Sequence, residues 1–198
     1  MDENRDRYET AKERWTHEVE KIFERLAQHD ELFEKIEPSK TIERINNNLL
    51  YHPEKPTYKH HFGCEPASDK HSAASIYISV GPQRSFIGGG IHNPNKESLD
   101  QIREKIDEEG GKLKKIIESD AIQKYFGGLT QDERKLKTAP RDYEKDHEHI
   151  ELLRRKDFTV MKQLTEDEVT GDGFIDIIEE SYLKMNDFNS FFNEAIGS

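Results

Sequence analysis

Residues 74–91 read ASIYISVGPQRSFIGGGI, and this stretch decides the fold. Ile76, Ile78 and Val80 fall on one side of an extended chain, Tyr77 and Ser79 on the other. Gly81-Pro82-Gln83 interrupts the alternation as a turn. Residues 84–91 resume an extended pattern, so the stretch is expected to fold back as an antiparallel hairpin. Gly88-Gly89-Gly90 in the second arm suits a bulge, or a place where another backbone or a ligand comes close.

Helical spacing surrounds this hairpin. Upstream, Tyr8, Ala11, Trp15, Val19, Ile22, Phe23 and Leu26 recur at three- and four-residue steps, which predicts a long first helix capped at Asp2 or Asn4. Leu32, Phe33 and Ile36 predict a further turn, ended at Pro38-Ser39 because proline disfavours helix in the residue before it. Residues 41–45 alternate like a half-buried strand, residues 46–48 suggest a turn, Pro53 and Pro56 make an irregular loop, and residues 58–62 return as a strand. Residues 65–71 look like an exposed loop.

Downstream, Asn95 is placed to cap a helix carrying Leu99, Ile102, Ile106, Leu113, Ile116 and Ile117, kinked at Gly110-Gly111. Residues 121–126 form a short helix or strand, residues 127–143 are basic and turn-rich, and residues 147–155 read as helix. Residues 158–164 read as a strand, and Thr165 with Glu166 and Glu168 starts another helix. The last helix begins near Gly173, with Phe174, Ile178, Tyr182, Met185, Phe188 and Phe192 as its stripe. The expected architecture is α+β: an antiparallel sheet with helices packed on one face, long N- and C-terminal helices, and a single domain over residues 1–198. Trp15, Phe23, Ile102, Ile106, Ile178 and Tyr182 are the expected core.

Composition narrows the function. The 198 residues include 30 Lys and Arg against 41 Asp and Glu, a formal charge of -11, which argues against affinity built on many phosphate contacts and hence against a nucleic-acid partner. Ten Phe and seven Tyr provide enough large apolar side chains to oppose disorder in a chain that is 36% charged. A single cysteine, Cys64, excludes an internal disulfide and suits a reducing compartment. No apolar run reaches membrane-spanning length, and the first residues lack a signal-peptide core, so a soluble cytoplasmic protein with no membrane partner is expected.

Against that acidic background, residues 41–62, TIERINNNLLYHPEKPTYKHHF, are cationic and rich in amides. Arg44, Lys55 and Lys59, with Arg141 and Lys156 from later in the chain, are candidate partners for a small anionic ligand, because guanidinium matches carboxylate or phosphate as a fork and ammonium as a point charge. Asn46 and Tyr58 supply neutral hydrogen bonds. The plainer reading pairs these cations with the surplus acids. His52, His60 and His61, or His147 and His149 with Asp146 or Glu148, match no zinc spacing, so no metal is assigned, and no cofactor motif is present. Cys64 near His60 and His61 reads as a buried thiol rather than a nucleophile. No motif fixes a reaction. The other function class is a protein-interaction module using the terminal helices, with Phe188, Phe191 and Phe192 exposed.

The same central segment carries a resemblance. Arg44 and Asn46, then Asn47-Asn48, Tyr51, Glu54-Lys55-Pro56 and Tyr58-Lys59 resemble the central motif of the domain of unknown function 2461 family, in which Arg-Asp usually stands where Asn47-Asn48 stand here and Thr57 has no counterpart. Residues 4–8, NRDRY, resemble its first-helix signature. Residues 85–94 resemble its Gly-rich strand, residues 99–106 the helix that follows, and residues 136–158, with Pro140, His147, Leu152, Leu153, Lys156 and Phe158, its C-terminal motif. The family usually has a further segment before the point where this chain starts. The resemblance implies a fold group and carries no activity.

Overall fold

The computed structural model describes residues 4–51, 53–66 and 73–197. In chain order the elements are α1 (Arg5–Leu26), α2 (Leu32–Lys35), α3 (Pro38–Thr41), β1 (Phe62–Cys64), β2 (Tyr77–Val80), β3 (Ser85–Ile91), α4 (Lys96–Glu118), α5 (Asp120–Phe126), α6 (Ile150–Leu153), β4 (Phe158–Leu164), α7 (Glu166–Thr170) and α8 (Phe174–Ile196). The four strands form one antiparallel sheet in the order β1-β2-β3-β4, so the fold is α+β with long helices at both ends.

The hairpin forms, with Tyr77–Val80 and Ser85–Ile91 as its arms, while residues 74–76 lie outside the strand. Phe62, Gly63 and Cys64 of β1 then pair with Val80, Ser79 and Ile78 of β2. The expected strand at residues 41–45 does not form. Two isolated bridges, Ile42 with Cys64 and Asn46 with Tyr58, stand in its place. The four-residue step from Ile42 to Asn46 faces a six-residue step from Tyr58 to Cys64, so a continuous ladder cannot close and the chain bulges around His60 and His61. For the same reason the returning strand is Phe62–Cys64 rather than residues 58–62. The turn through Leu32 ends at Lys35, before Pro38 as expected, with Ile36 and Glu37 extended; Pro38 itself then opens α3 at its first position, where its missing N–H is no loss. Residues 121–126 are helical, and of residues 147–155 only Ile150–Leu153 are. Asp2, His52 and most of residues 65–71 lie outside the described residues.

The described residues divide into two compact units. One draws on Met1–Pro66, Tyr77–Ile87 and Gln163–Glu180, the other on Ala67–Ile76, Gly88–Lys162 and Ser181–Ser198. In the first, α1 buries Trp15, Val19, Ile22, Phe23 and Leu26, the face that the sequence stripe defines. Phe62 of β1 stacks on Tyr8 and Trp15 with centroids 6.2 and 6.5 Å apart. Ile178 is fully buried in the same unit.

In the second unit, Asn95 caps α4 by accepting from Ser98 N at 2.9 Å, and a kink at Glu109 precedes Gly110-Gly111. Ile102, Ile106 and Tyr182 are buried, as are Phe188, Phe191 and Phe192 of α8. These three phenylalanines pack on one another and on Phe158, so they are not an exposed face. The glycine run brings backbones together as its composition suggests. Gly90 has φ +97°, and a Cβ there would clash with the Phe158 carbonyl oxygen. Among the described residues, no helix is long and apolar enough to cross a membrane.

Candidate functional site

Residues 42–48 leave the sheet edge beside α1, and there they wall a cleft of about 590 Å³. Tyr8 and Lys12 of α1 contribute one side, and Glu43, Arg44, Asn46 and Asn48 the other. A short ladder holds this run in place: Lys59 N donates to Ile45 O at 2.8 Å, and Asn47 N to Thr57 O at 3.0 Å. Asn47 adds a side-chain bond to Pro56 O at 2.7 Å. Backbone groups that a longer strand would have paired are satisfied this way, which leaves the intervening side chains free to face the cleft. Leu50 and Tyr51 follow at the tip of the same loop, 83% and 74% exposed.

Glu43 is the acid that lines the cleft, and it is already engaged. Lys59 Nζ lies 2.6 Å and the Tyr77 hydroxyl 3.2 Å from its Oε2. Burial first, and then the Glu43 carboxylate, push the Tyr77 hydroxyl well above its usual pKa, so it remains a donor. His61 Nε2 is 3.9 Å from the same oxygen. Burial, and then Lys59, hold this imidazole below the ordinary histidine range in spite of Glu43. The backbone permits the cluster because position 63 is glycine: a Cβ there would lie 2.6 Å from the Tyr77 hydroxyl and 2.8 Å from Glu43 Oε2.

Arg44 differs from Lys59. It is exposed, it lines the cleft, and among the described residues it has no ion-pair partner. Lys12 lines the same cleft and is likewise exposed. Of the sequence candidates, Arg44 and Asn46 are therefore brought together, Tyr58 is bridged to Asn46, and Lys59 lies behind them on Glu43. Lys55 is exposed on the connecting loop. Arg141 and Lys156 belong to the second unit. Sequence reasoning missed Lys12 and Tyr77, and it offered Glu43 only as a partner for Arg44, whereas the carboxylate engages Lys59. Lys12 sits on the polar face of a helix, and the other two act through partners 16 and 34 positions away.

These residues coincide with the central motif described above, and the family match extends far beyond it, over residues 1–191. The chain belongs to the family described as "Conserved hypothetical protein (DUF2461)". No curated protein and no solved structure matches the chain.

The stretch resembling the C-terminal DUF2461 motif builds a different cluster, inside the second unit. Arg134 grips Asp157 with two bonds, Nε to Oδ2 at 2.9 Å and Nη2 to Oδ1 at 2.6 Å, and also bonds Asn93. Asn93 N donates to Asp157 Oδ1 at 2.6 Å, and His92 Nδ1 stands 3.2 Å from that oxygen. Burial alone would raise the Asp157 pKa, but His92, Arg134 and the Asn93 amide outweigh it and hold the carboxyl far below the aspartate range. Asp132, also buried, accepts from the amides of Lys156 at 2.6 Å, Asp157 at 3.1 Å and Arg134 at 2.9 Å. Every acceptor here is occupied by the fold itself, so the DUF2461 C-terminal stretch reads as a lock between two loops. His147 is similarly committed, with Nε2 2.8 Å from Asp107 Oδ1 and Nδ1 accepting from His149 N. Cys64 Sγ lies 3.1 Å from Thr41 Oγ1 in the core of the first unit. Among the described residues no group of three or more His, Cys, Asp and Glu is placed to hold a metal.

Proposed function

We propose that the cleft beside α1 binds a small anionic ligand, with Arg44 as its principal contact. The observation that carries this reading is the inequality between two cations of the motif, Lys59 and Arg44. Lys59 is neutralised by Glu43, whereas Arg44 faces the cleft with no counter-ion among the described residues. With Glu43 occupied by Lys59 and Tyr77, the lining leaves Arg44 and Lys12 uncompensated. In a chain of charge -11, such a spot focuses a negatively charged molecule. Asn46 and Asn48 provide amides to orient it, and a volume of about 590 Å³ suits a metabolite-sized molecule. Phosphate and carboxylate are the groups a guanidinium fork holds best. The reading needs no cofactor, and it takes the protein as cytoplasmic because its single cysteine is a buried thiol.

The test is a thermal-melt titration with phosphate, sulfate and citrate at constant ionic strength. At least one should raise the melting temperature saturably in the native chain and leave Arg44→Ala unmoved. Equal responses of both proteins would refute the reading.

A further inference from the structure

The cleft at Arg44 offers more than positive charge. Tyr8 lines it, half-buried, with its ring nearly parallel to that of Phe62, at 10° and a centroid distance of 6.2 Å. Lys12 follows four positions later on α1, so the two side chains share one face of the helix, about 6 Å apart along its axis. Arg44, Asn46 and Asn48 stand on the other wall. Among the described residues, the side chains of Lys12, Arg44, Asn46 and Asn48 make no hydrogen bond or ion pair with the rest of the chain, whereas Asn47 is spent on Pro56 O. Two cations, two amides and an aromatic ring that the fold leaves unused thus line one cleft.

We propose that this cleft takes a nucleoside monophosphate. The proposal rests on the anion reading above and names the remainder of the molecule. Cations on facing walls match the double charge of a phosphate monoester better than the single charge of a carboxylate. About one helical turn from Lys12, the Tyr8 ring presents a planar surface on which a base attached through its ribose can stack. Asn46 and Asn48 each carry a donor and an acceptor, the combination that the edge of a base also carries. An acyl chain in the same place would leave those amides unmatched. A longer polynucleotide is disfavoured, because its further phosphates meet a chain of charge -11.

Calorimetric titrations of the native chain compare adenosine monophosphate, ribose-5-phosphate and adenosine. The nucleotide should bind about tenfold more tightly than the sugar phosphate, the scale of one stacked base, and at least about tenfold more tightly than adenosine. Tyr8→Leu should lower the nucleotide to the affinity of the sugar phosphate while leaving the sugar phosphate unchanged, which also shows that the variant is folded. Tyr8→Phe keeps the ring and should bind both as the native chain does. Lys12→Gln should weaken both about tenfold. Adenosine as tight as the nucleotide, a nucleotide affinity that Tyr8→Leu leaves unchanged, or a loss of both ligands in Tyr8→Leu would overturn the proposal. Sugar phosphate bound as tightly as the nucleotide, and lost in Arg44→Ala, would sink this inference and leave the anion reading standing. No saturable binding of any probe would sink both.

Discussion

Lys59 Nζ lies 2.6 Å from Glu43 Oε2, and the two side chains are 22% and 16% exposed. Glu43 lines the cleft beside Arg44, and its pairing with Lys59 sets the charge of that lining. Replacing Glu43 by Gln should therefore act with two signs. Stability falls by roughly 1.5–3 kcal/mol, the usual worth of a hydrogen bond to a charged group. Anion affinity rises, because one negative charge leaves the lining. Melting curves with and without phosphate separate the two. A variant that loses stability and anion response together would make Glu43 part of the site rather than its neutral backing.

The Asp157 cluster gives the chain a pH dependence. Its folded carboxyl titrates far below the ordinary aspartate value. The stabilisation it brings is fully present above about pH 4, the unfolded aspartate range, and is lost as the pH falls through the folded pKa. Asp157→Asn should cost roughly 1.5–3 kcal/mol at pH 7, the usual worth of hydrogen bonds to a charged group, because Arg134 loses its partner but is itself exposed to solvent. That deficit should shrink in urea unfolding at pH 3. Arg134 faces the carboxylate and stays charged over this range, so it does not offset the loss. A deficit constant from pH 7 to pH 3 would show that the fold does not lower the Asp157 pKa.

Gly90 tests the close packing of the sheet in the second unit. Its positive φ and the Phe158 carbonyl against its missing side chain both resist substitution. Gly90→Ala should destabilise by roughly 2–6 kcal/mol, the sum of a strained backbone and overpacking. A denaturation midpoint close to that of the native chain would mean that β3 does not approach Phe158 as described.

Local periodicity made the scaffold legible. Trp15, Val19, Ile22 and Leu26 announce α1, Ile76 and Ile78 announce the hairpin, and Asn95 and Thr165 announce helix starts through their caps. Thr165 even forms the full reciprocal box with Glu168. The failed strand at residues 41–45 shows where this stops. Its alternation is genuine, but whether a partner of matching length faces it depends on residues 58–64, which no local pattern counts. The site divides in the same way. Arg44 and Asn46 stood out as charge and amide in one segment. Lys12 joins them through the path of the chain, and the engagement of Glu43 by Tyr77 spans 34 positions. Contacts at such separation leave no periodic trace. The burial of Phe188, Phe191 and Phe192 was open to either reading until their neighbours were known, because a helical stripe of phenylalanine suits a core and an interface equally.

Calorimetric titration of phosphate into the native chain and into Arg44→Ala tests the central claim most directly. The native chain should bind at a single saturable site, and Arg44→Ala should give no measurable heat of binding while keeping its melting temperature without phosphate. Arg44 is exposed and has no ion-pair partner among the described residues, so its truncation should cost no more than about 0.5 kcal/mol of stability. Unchanged phosphate affinity in Arg44→Ala, or a variant destabilised well beyond that figure in the absence of phosphate, would contradict the account and make Arg44 a structural residue.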